Sequence, residues 1–396
     1  MASISMSKII SASLSPNAER DDVWLAFRLF CSPWMWKRGA AAGKVEAWFR
    51  SYLSSSCVVT FNSGRSALLA ILRAFRIGHG DEVIVQAFTC VAVPNSVRWS
   101  GATPVYADID DTLNINPADV VKKITKKTKA IIVQHTFGIP AAMDEIVTIA
   151  KKNNIIIIED CAHALGATIH DKKVGTLGDA AMFSFGRDKV VSSVFGGLAT
   201  IASGHEKEII ALKNYHKNLT IPGYGWIFQQ VFHPVAFSII LPFYNFGIGK
   251  AVLVTLQRFH LLGFPVYREE KAGKQPSDFP AKYPNVLAML LLKQLKKLER
   301  FTKQRREISK IYGADAAYLR FPKLVEHPAI VIANAKNQGI LLGNWYHNVI
   351  DPLGTDFARI GYEKGSCPKA EEAAAHMINL PTRISVKDAQ KVLHAV

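Results

Sequence analysis

Lys189 closes the stretch SFGRDK, behind the apolar run GDAAMFSF, with Gly186 before it and Gly196–Gly197 after it. A lysine in apolar surroundings has its neutral, nucleophilic amine favoured. Upstream, the very apolar run IIIIED ends in Asp160. A carboxylate there is costly without a cationic partner, and the carboxyl ends of strands are where ligands bind in open α/β sheets. Ser184 stands between the two, and Ser63, Gly64, Arg65 and Ser66 open a helical stretch. A helix start with small residues and an arginine is an anion site. These parts are an amine that can trap a carbonyl, a carboxylate to face a protonated ring nitrogen, and donors for a phosphate. They are what pyridoxal phosphate (PLP) chemistry requires.

Each residue alone also has an ordinary reading. Lys189 could snorkel at the surface, and Asp160 could cap a loop. Ser184 could close a turn, and Ser63 could be a plain helix cap. His135, in VQHTFGIP, follows a strand and could line a site or bond to main chain. Trp345, Tyr346 and His347, in GNWYHN, could reach a substrate or pack between domains. His233, beside Pro234, reads as a turn residue. No His/Cys/Asp/Glu cluster has metal-ligand spacing, and no metal is expected.

The elements that must position these residues alternate from about residue 57. CVVTFNSG, GDEVIV, TPVYADI, KAIIVQHT and IIIIED read as strands. RSALLAILRAFRIG, VAVPNSVRWSG and MDEIVTIAKKNN read as helices between them. Apolar strands alternating with amphipathic helices imply βαβ units and a mostly parallel, buried sheet. After a polar stretch near 270, NVLAMLLLKQLKKLERFTKQRREISKIY reads as one long helix and ISVKDAQKVLHAV as a surface helix. The expected fold class is α/β: a large domain over 23–270 and a smaller α+β domain over 271–396. Residues 1–22, without a signal-length apolar run, read as a mobile tail.

Residues 218–268 interrupt the pattern, because 218–249 contain no Lys, Arg, Asp or Glu. The stretch is long enough to span a bilayer, but Pro222, Pro234 and Pro242 argue against one continuous spanning helix. Flanking Lys213, Lys217, Lys250, Arg258 and Arg268 give it the basic rim of an interfacial attachment. A buried insertion or a subunit interface is the competing reading.

The 396-residue chain is long enough for two domains. Its 48 Lys+Arg against 32 Asp+Glu, a net charge of +16, favour anionic partners. No signature of a nucleic-acid-binding fold accompanies that charge, so no nucleic-acid partner is expected. Five scattered cysteines without a CxxC pair fit a reducing compartment, and the cytoplasm is the expected location.

The strings SGRSAL, GDEVIVQAFTCVAVPNSV, GATPVYADID, TKAIIVQHTFGIPAAMDEI, IIEDCAHALGA and VGTLGDAAMFSFGRDK carry a family resemblance over about residues 40–200. The chain resembles the DegT/StrS family of PLP-dependent sugar aminotransferases, which have the aspartate-aminotransferase fold. The resemblance implies Lys189 as the Schiff-base lysine and Asp160 as partner of the pyridine nitrogen. It implies His163 beside the ring's 3′ oxygen and Ala162 against a ring face. It assigns the phosphate to Ser184, Gly64, Arg65 and Ser66, with Ser63 at the same helix start. Cys90 stands where the family usually has a stacked aromatic residue, so either Phe88 takes that role or a thiol packs the ring. The stretch that the family contributes from a neighbouring subunit is replaced by Lys282, Tyr283, Pro284 and Asn285, with Asn285 a substrate candidate. The resemblance further implies a homodimer with shared active sites, glutamate as amino donor and a nucleotide-linked keto sugar as acceptor. A PLP-dependent sugar dehydratase is disfavoured by Lys189, where those enzymes usually carry His. A membrane-bound regulator or scaffold is disfavoured by the intact Asp160/Lys189 pair. An aminotransferase sitting on the inner face of the membrane remains compatible with the apolar 218–268 segment.

Overall fold

The computed structural model describes residues 10–396. Its centre is a seven-stranded sheet. The strands, in chain order, are β1 (Cys57–Phe61), β2 (Glu82–Gln86), β3 (Thr103–Ala107), β4 (Thr128–Gln134), β5 (Ile156–Asp160), β6 (Ala180–Ser184) and β7 (Gly197–Ile201). Their spatial order is β1-β7-β6-β5-β4-β2-β3. All neighbours run parallel except β7, which is antiparallel to both β1 and β6. Alternate residues serve opposite faces, as the two-residue period of a strand demands. Cys57, Val59 and Phe61 enter one core, and Val58 enters the other. Helices cover both faces, which explains why the strands read as nearly continuous apolar runs.

Six helices matter for the site: α1 (Arg20–Phe30), α2 (Gly64–Ala74), α3 (Tyr224–Ile240), α4 (Ile248–Arg258), α5 (Asn285–Leu295) and α6 (Leu298–Ile311). The long helix expected from residue 285 is therefore two helices. The chain turns at Lys296–Lys297, where the Lys297 ammonium is drawn to Glu19, Asp21 and Asp22 at the start of α1. Helix α5 packs Val286, Leu287, Leu290 and Leu291 into the large core. Helix α6 sends Ile308 into a separate small core with Ile340, Ile378, Leu380 and Val392. Leu298 and Phe301 stay in the core that α5 fills, so packing passes from one core to the other along α6.

Two other expectations are corrected. Residues 1–9 of the expected tail lie outside the described residues, but residues 10–22 are part of the fold. Ile10–Ser11 pair in parallel with Ile340–Leu341. Asn17 is fully buried; its amide nitrogen donates to the carbonyl of Lys189, and its oxygen accepts from Arg305 Nη2 at 2.7 Å. Pro234 does not break the apolar insertion either. Helix α3 contains it and gives way only at Leu241–Pro242, to a 3-10 stretch that ends at Phe246. Tyr224–Tyr244 is long and apolar enough to cross a bilayer, yet 44% of its most apolar window is buried inside the protein. Trp226, Ile227 and Val231 belong to the large core, and Phe228 and Phe232 pack on Phe30 of α1.

Asn17 joins the loop that carries Lys189 to a buried guanidinium whose Nε and Nη1 already lack partners. Asn17→Ala should cost about 1–3 kcal/mol, the price of an unsatisfied buried polar group. Urea unfolding should show it as a lowered midpoint with an unchanged slope.

Candidate active site

A cavity of about 440 Å³ opens at the carboxyl ends of β4, β5 and β6. Asp160 is the last residue of β5, level with Gln134 of β4 and Met182 of β6. Lys189 follows β6 in a tight turn, its N–H bonded to the carbonyl of Gly186 at 3.2 Å. Both side chains line the cavity with Ser63, Gly64, Arg65, Cys90, Ala162, His163, Ser184, Trp345, Tyr346 and His347.

Two adjacent carboxylates show what this position asks for. Glu159 is buried and fully engaged: it accepts from the N–H groups of Gly175 (2.8 Å), Leu177 (2.7 Å) and Gly178 (2.8 Å), and from His135 (3.1 Å). Burial pushes it up, but His135 and the backbone donors outweigh that and hold it below the usual carboxylate range. Asp160 receives one backbone N–H, from Ala162 at 2.9 Å. Burial wins there and raises it, against the pull of Ala162, Lys189 and His135. A raised carboxylate on a cavity wall is a place for a cation. Burial likewise lowers the Lys189 ammonium from 10.5, although Cys90 and Asp160 oppose it, which is what a nucleophilic amine requires.

The phosphate end is equally specific. Ser63 caps α2, its Oγ accepting from Ser66 N–H at 3.2 Å. A Cβ placed on Gly64 would lie 3.2 Å from Ser184 Oγ, and one on Gly197 would strike Ser63 main chain at 2.3 Å. The helix start and Ser184 therefore face a common point that only glycine leaves open. Taken together, this donor set fits PLP: phosphate donors at one end, an uncommitted buried carboxylate at the other, and a low-pKa lysine between them.

The remaining candidates divide. His163 is buried, accepts from Phe137 N–H at its Nδ1 (3.3 Å), and stacks with Phe137 and Tyr346. Desolvation, with Lys189 and Arg320 nearby, keeps it neutral, well below the usual histidine range; its Nε2 then carries the proton. Cys90, not Phe88, reaches the cavity. Phe88 is buried behind it, edge-on to Tyr346 at 5.2 Å, so the suggested aromatic substitution for Cys90 does not occur. Trp345, Tyr346 and His347 arrive from the C-terminal part because strand Ile350–Asp351 pairs with Thr89–Cys90. His135 is a structural residue: Ala141 N–H donates to its Nδ1 (3.1 Å) and its Nε2 meets Glu159. Although His135, Glu159 and Cys161 lie close enough for a metal, those ring nitrogens and both Glu159 oxygens are already engaged. Asn285 holds main chain as well, accepting from Ala41 N–H (3.0 Å) and donating to Met35 carbonyl (2.8 Å). Ser66 spends its hydroxyl inside the helix start, on Ser63 and Asn62. His233 sits within α3, not in a turn.

Arg65 does not offer a spare charge. Its guanidinium pairs with the buried carboxylate of Glu270, donates to Pro265 carbonyl (2.8 Å) and lies over Phe279. Cations that the sequence reading missed line the cavity instead. Arg187 has its Nε and Nη2 buried without partners, and burial lowers it to about 10. Arg320 lies 3.9 Å from the Trp345 ring centre and donates to Asp188 carbonyl at 3.2 Å. Single arginines in loops carry no spacing signal, so only the fold reveals them.

Residues 24–225 match the profile of the DegT/DnrJ/EryC1/StrS aminotransferase family. The chain belongs to this family. It is 31% identical over 350 residues to a pleiotropic regulatory protein of Geobacillus stearothermophilus, covering 88% of this chain and 86% of that one. It is 39% identical over 168 residues to GDP-perosamine synthase of Escherichia coli O157:H7, covering 42% and 46% of the two chains. Among solved structures, Helicobacter pylori PseC, an aminotransferase of pseudoaminic acid biosynthesis, shares the fold: TM-score 0.74, 20% identity, 98% of both chains covered. Membership makes the protein a PLP-dependent aminotransferase.

Two outcomes follow from the geometry. Arg65→Ala strands a buried Glu270 carboxylate and should cost about 3–5 kcal/mol of stability, whereas a joint Arg65→Met/Glu270→Gln change should recover most of it; calorimetric melting of the three forms reads this. The depressed Lys189 also gives the apoprotein a signed pH dependence. Between the folded and unfolded midpoints the unfolded chain binds more protons, so this contribution to stability is complete above 10.5 and is lost as pH falls through the folded value. Lys189→Met should flatten that part of the stability profile, measured from pH 7 to 11 as about four evenly spaced denaturations.

Proposed function

We propose that this aminotransferase moves an amino group from an amino acid, glutamate, to a keto sugar carried on a nucleotide, for polysaccharide or glycoconjugate synthesis. The observation that carries the reading is the pairing of Lys189 with the under-satisfied Asp160 in one cavity, opposite a helix start and Ser184. PLP, when bound, supplies a carbonyl carbon for the amine and a ring that delocalises the electron pair left behind. Asp160 would hold a proton on the ring nitrogen, and its raised carboxyl is stabilised by that cation. Ser63, Gly64 and Ser184 would bind the phosphate; His163, donating from Nε2, would contact the ring oxygen. Ala162 and Cys90 would bound the ring faces, the thiol held neutral by burial. The neutral Nζ of Lys189 takes the proton from the donor carbon and later returns one to the acceptor carbon. Arg187 and Arg320, which line the cavity and keep unpartnered donors, suit the carboxylate and phosphate groups of such substrates.

The relative named GDP-perosamine synthase supports a nucleotide-linked acceptor, and the chain's net charge of +16 suits a diphosphate. The working unit is a homodimer with shared sites, in the cytoplasm and peripheral to the membrane's inner face. The likeness to a pleiotropic regulatory protein keeps a regulatory reading in view. Lys189 and Asp160 count against it, because a protein without turnover needs neither.

Purified protein should show the visible absorption band of lysine-bound PLP, and Lys189→Ala should remove it. Amine transfer should fall at least about 10²-fold, the scale of a lost general acid–base group. A panel of nucleotide keto sugars with glutamate is the deciding assay. An unchanged band in the variant, or no transfer to any sugar, would sink the proposal.

A further inference from the structure

Helix α4 is apolar on both sides. Leu253 and Leu256 pack inward on a small cluster formed by Ala236, Phe237, Ile240 and Leu262. Outward, Ile248 (60% exposed), Val252 and Phe259 (69% exposed) form one ridge, with Ile239 and Phe243 beside it. A surface helix normally turns polar residues to water. This ridge instead suits an apolar medium, and exposed apolar residues grouped in this way mark an interaction site.

Charge identifies the medium. No Asp or Glu occurs between Glu208 and Glu269, while Lys213, Lys217, Lys250, Arg258 and Arg268 do. Lys250 and Arg258 are exposed on α4 with Val254 between them, a second stripe at four-residue spacing on the other flank of the helix from Ile248 and Val252. An isologous contact between two copies would bring this patch against itself. Lys250 and Arg258 would then meet their own copies, and the hairpin itself carries no carboxylate to pair them. An anionic lipid surface satisfies both features at once: acyl chains for the ridge and headgroup phosphates for the cations.

We propose that the hairpin α3–α4, Tyr224–Leu262, docks on the surface of an anionic bilayer without crossing it. It names the surface behind the peripheral location given above, and it stands independently of the catalytic chemistry. Crossing is ruled out because α3 buries Trp226, Ile227 and Val231 in the core it shares with the rest of the protein. The hairpin returns directly into the active-site wall. Gln229 donates to the carbonyl of His260 at 2.8 Å, and Phe264, Pro265 and Val266 then line the cavity. Docking would therefore place the rim of the cavity at headgroup level.

Vesicle flotation of the PLP-loaded full chain tests this. Vesicles of phosphatidylcholine alone would be compared with vesicles that also contain phosphatidylglycerol. The protein should float with the anionic vesicles and far less with the neutral ones, and high salt should weaken binding. Val252→Asp/Phe259→Asp and Lys250→Glu/Arg258→Glu should each abolish flotation while keeping the cofactor band and amine transfer in solution. Wild-type protein left at the bottom of the gradient overturns the proposal, as do variants that float like wild type. Variants that instead fall to monomers in light scattering overturn it in favour of a contact between copies. Since the cofactor band and transfer are read separately, loss of flotation cannot be confused with failure of the catalytic reading.

Discussion

Removing water from Asp160 and Lys189 is the constraint around which the rest is arranged. Each group loses its hydration, and each responds by drifting toward its neutral form. Left alone, the pair would only weaken the fold. A ring cation for the carboxylate and a carbonyl for the amine resolve both costs, so the desolvated pair acts as a demand for one kind of ligand. The sheet meets this demand because β5 ends between two parallel neighbours, and its terminal side chain has nowhere to go but the cavity. Glu159, one residue earlier, faces the other way and is satisfied by a loop. The strand's two-residue alternation thus separates a carboxylate spent on a loop from one turned to the cavity.

Much of this was legible in the residues. β-branched runs between turn signals mark the strands from Cys57 to Asp160, and helical spacing marks what lies between them. Lys189, Asp160, Ser184 and the Ser63–Ser66 turn converge because they sit at strand ends and a helix start, where local sequence dictates place. Residues whose roles depend on distant partners were not legible. His135 and Asn285 looked reactive by type, but each is spent on main chain from another element. Arg65 looked available until Glu270 met it across the fold. Arg187 and Arg320 were unremarkable until burial gave them meaning.

The C-terminal part shows the same limit from the other side. Its own core is small, and besides Arg320 and Asp351 it brings the consecutive side chains Trp345 to His347 to the cavity, delivered by a two-residue strand pairing with Thr89–Cys90. His347 lies 2.7 Å from Asp351, off the hydrogen-bonding axis, at the cavity edge. Aromatic stacking of Phe137, His163 and Tyr346 ties this edge to the sheet. One wall of the cavity therefore comes from the part of the chain with the weakest sequence pattern.

The clasp at Asn17 bears on how the molecule is made. The turn carrying Lys189 is fastened by Asn17 and Ser15 from the beginning of the chain, and by Arg320 from near its end. Arg305 grips both Asn17 and the carbonyl of Val190. Such contacts close only after the intervening chain has been synthesised. The strands of the central sheet all lie between Cys57 and Ile201, whereas the turn of Lys189 takes its fastenings from Asn17, Arg305 and Arg320, so it can be completed only once the chain through Arg320 is present.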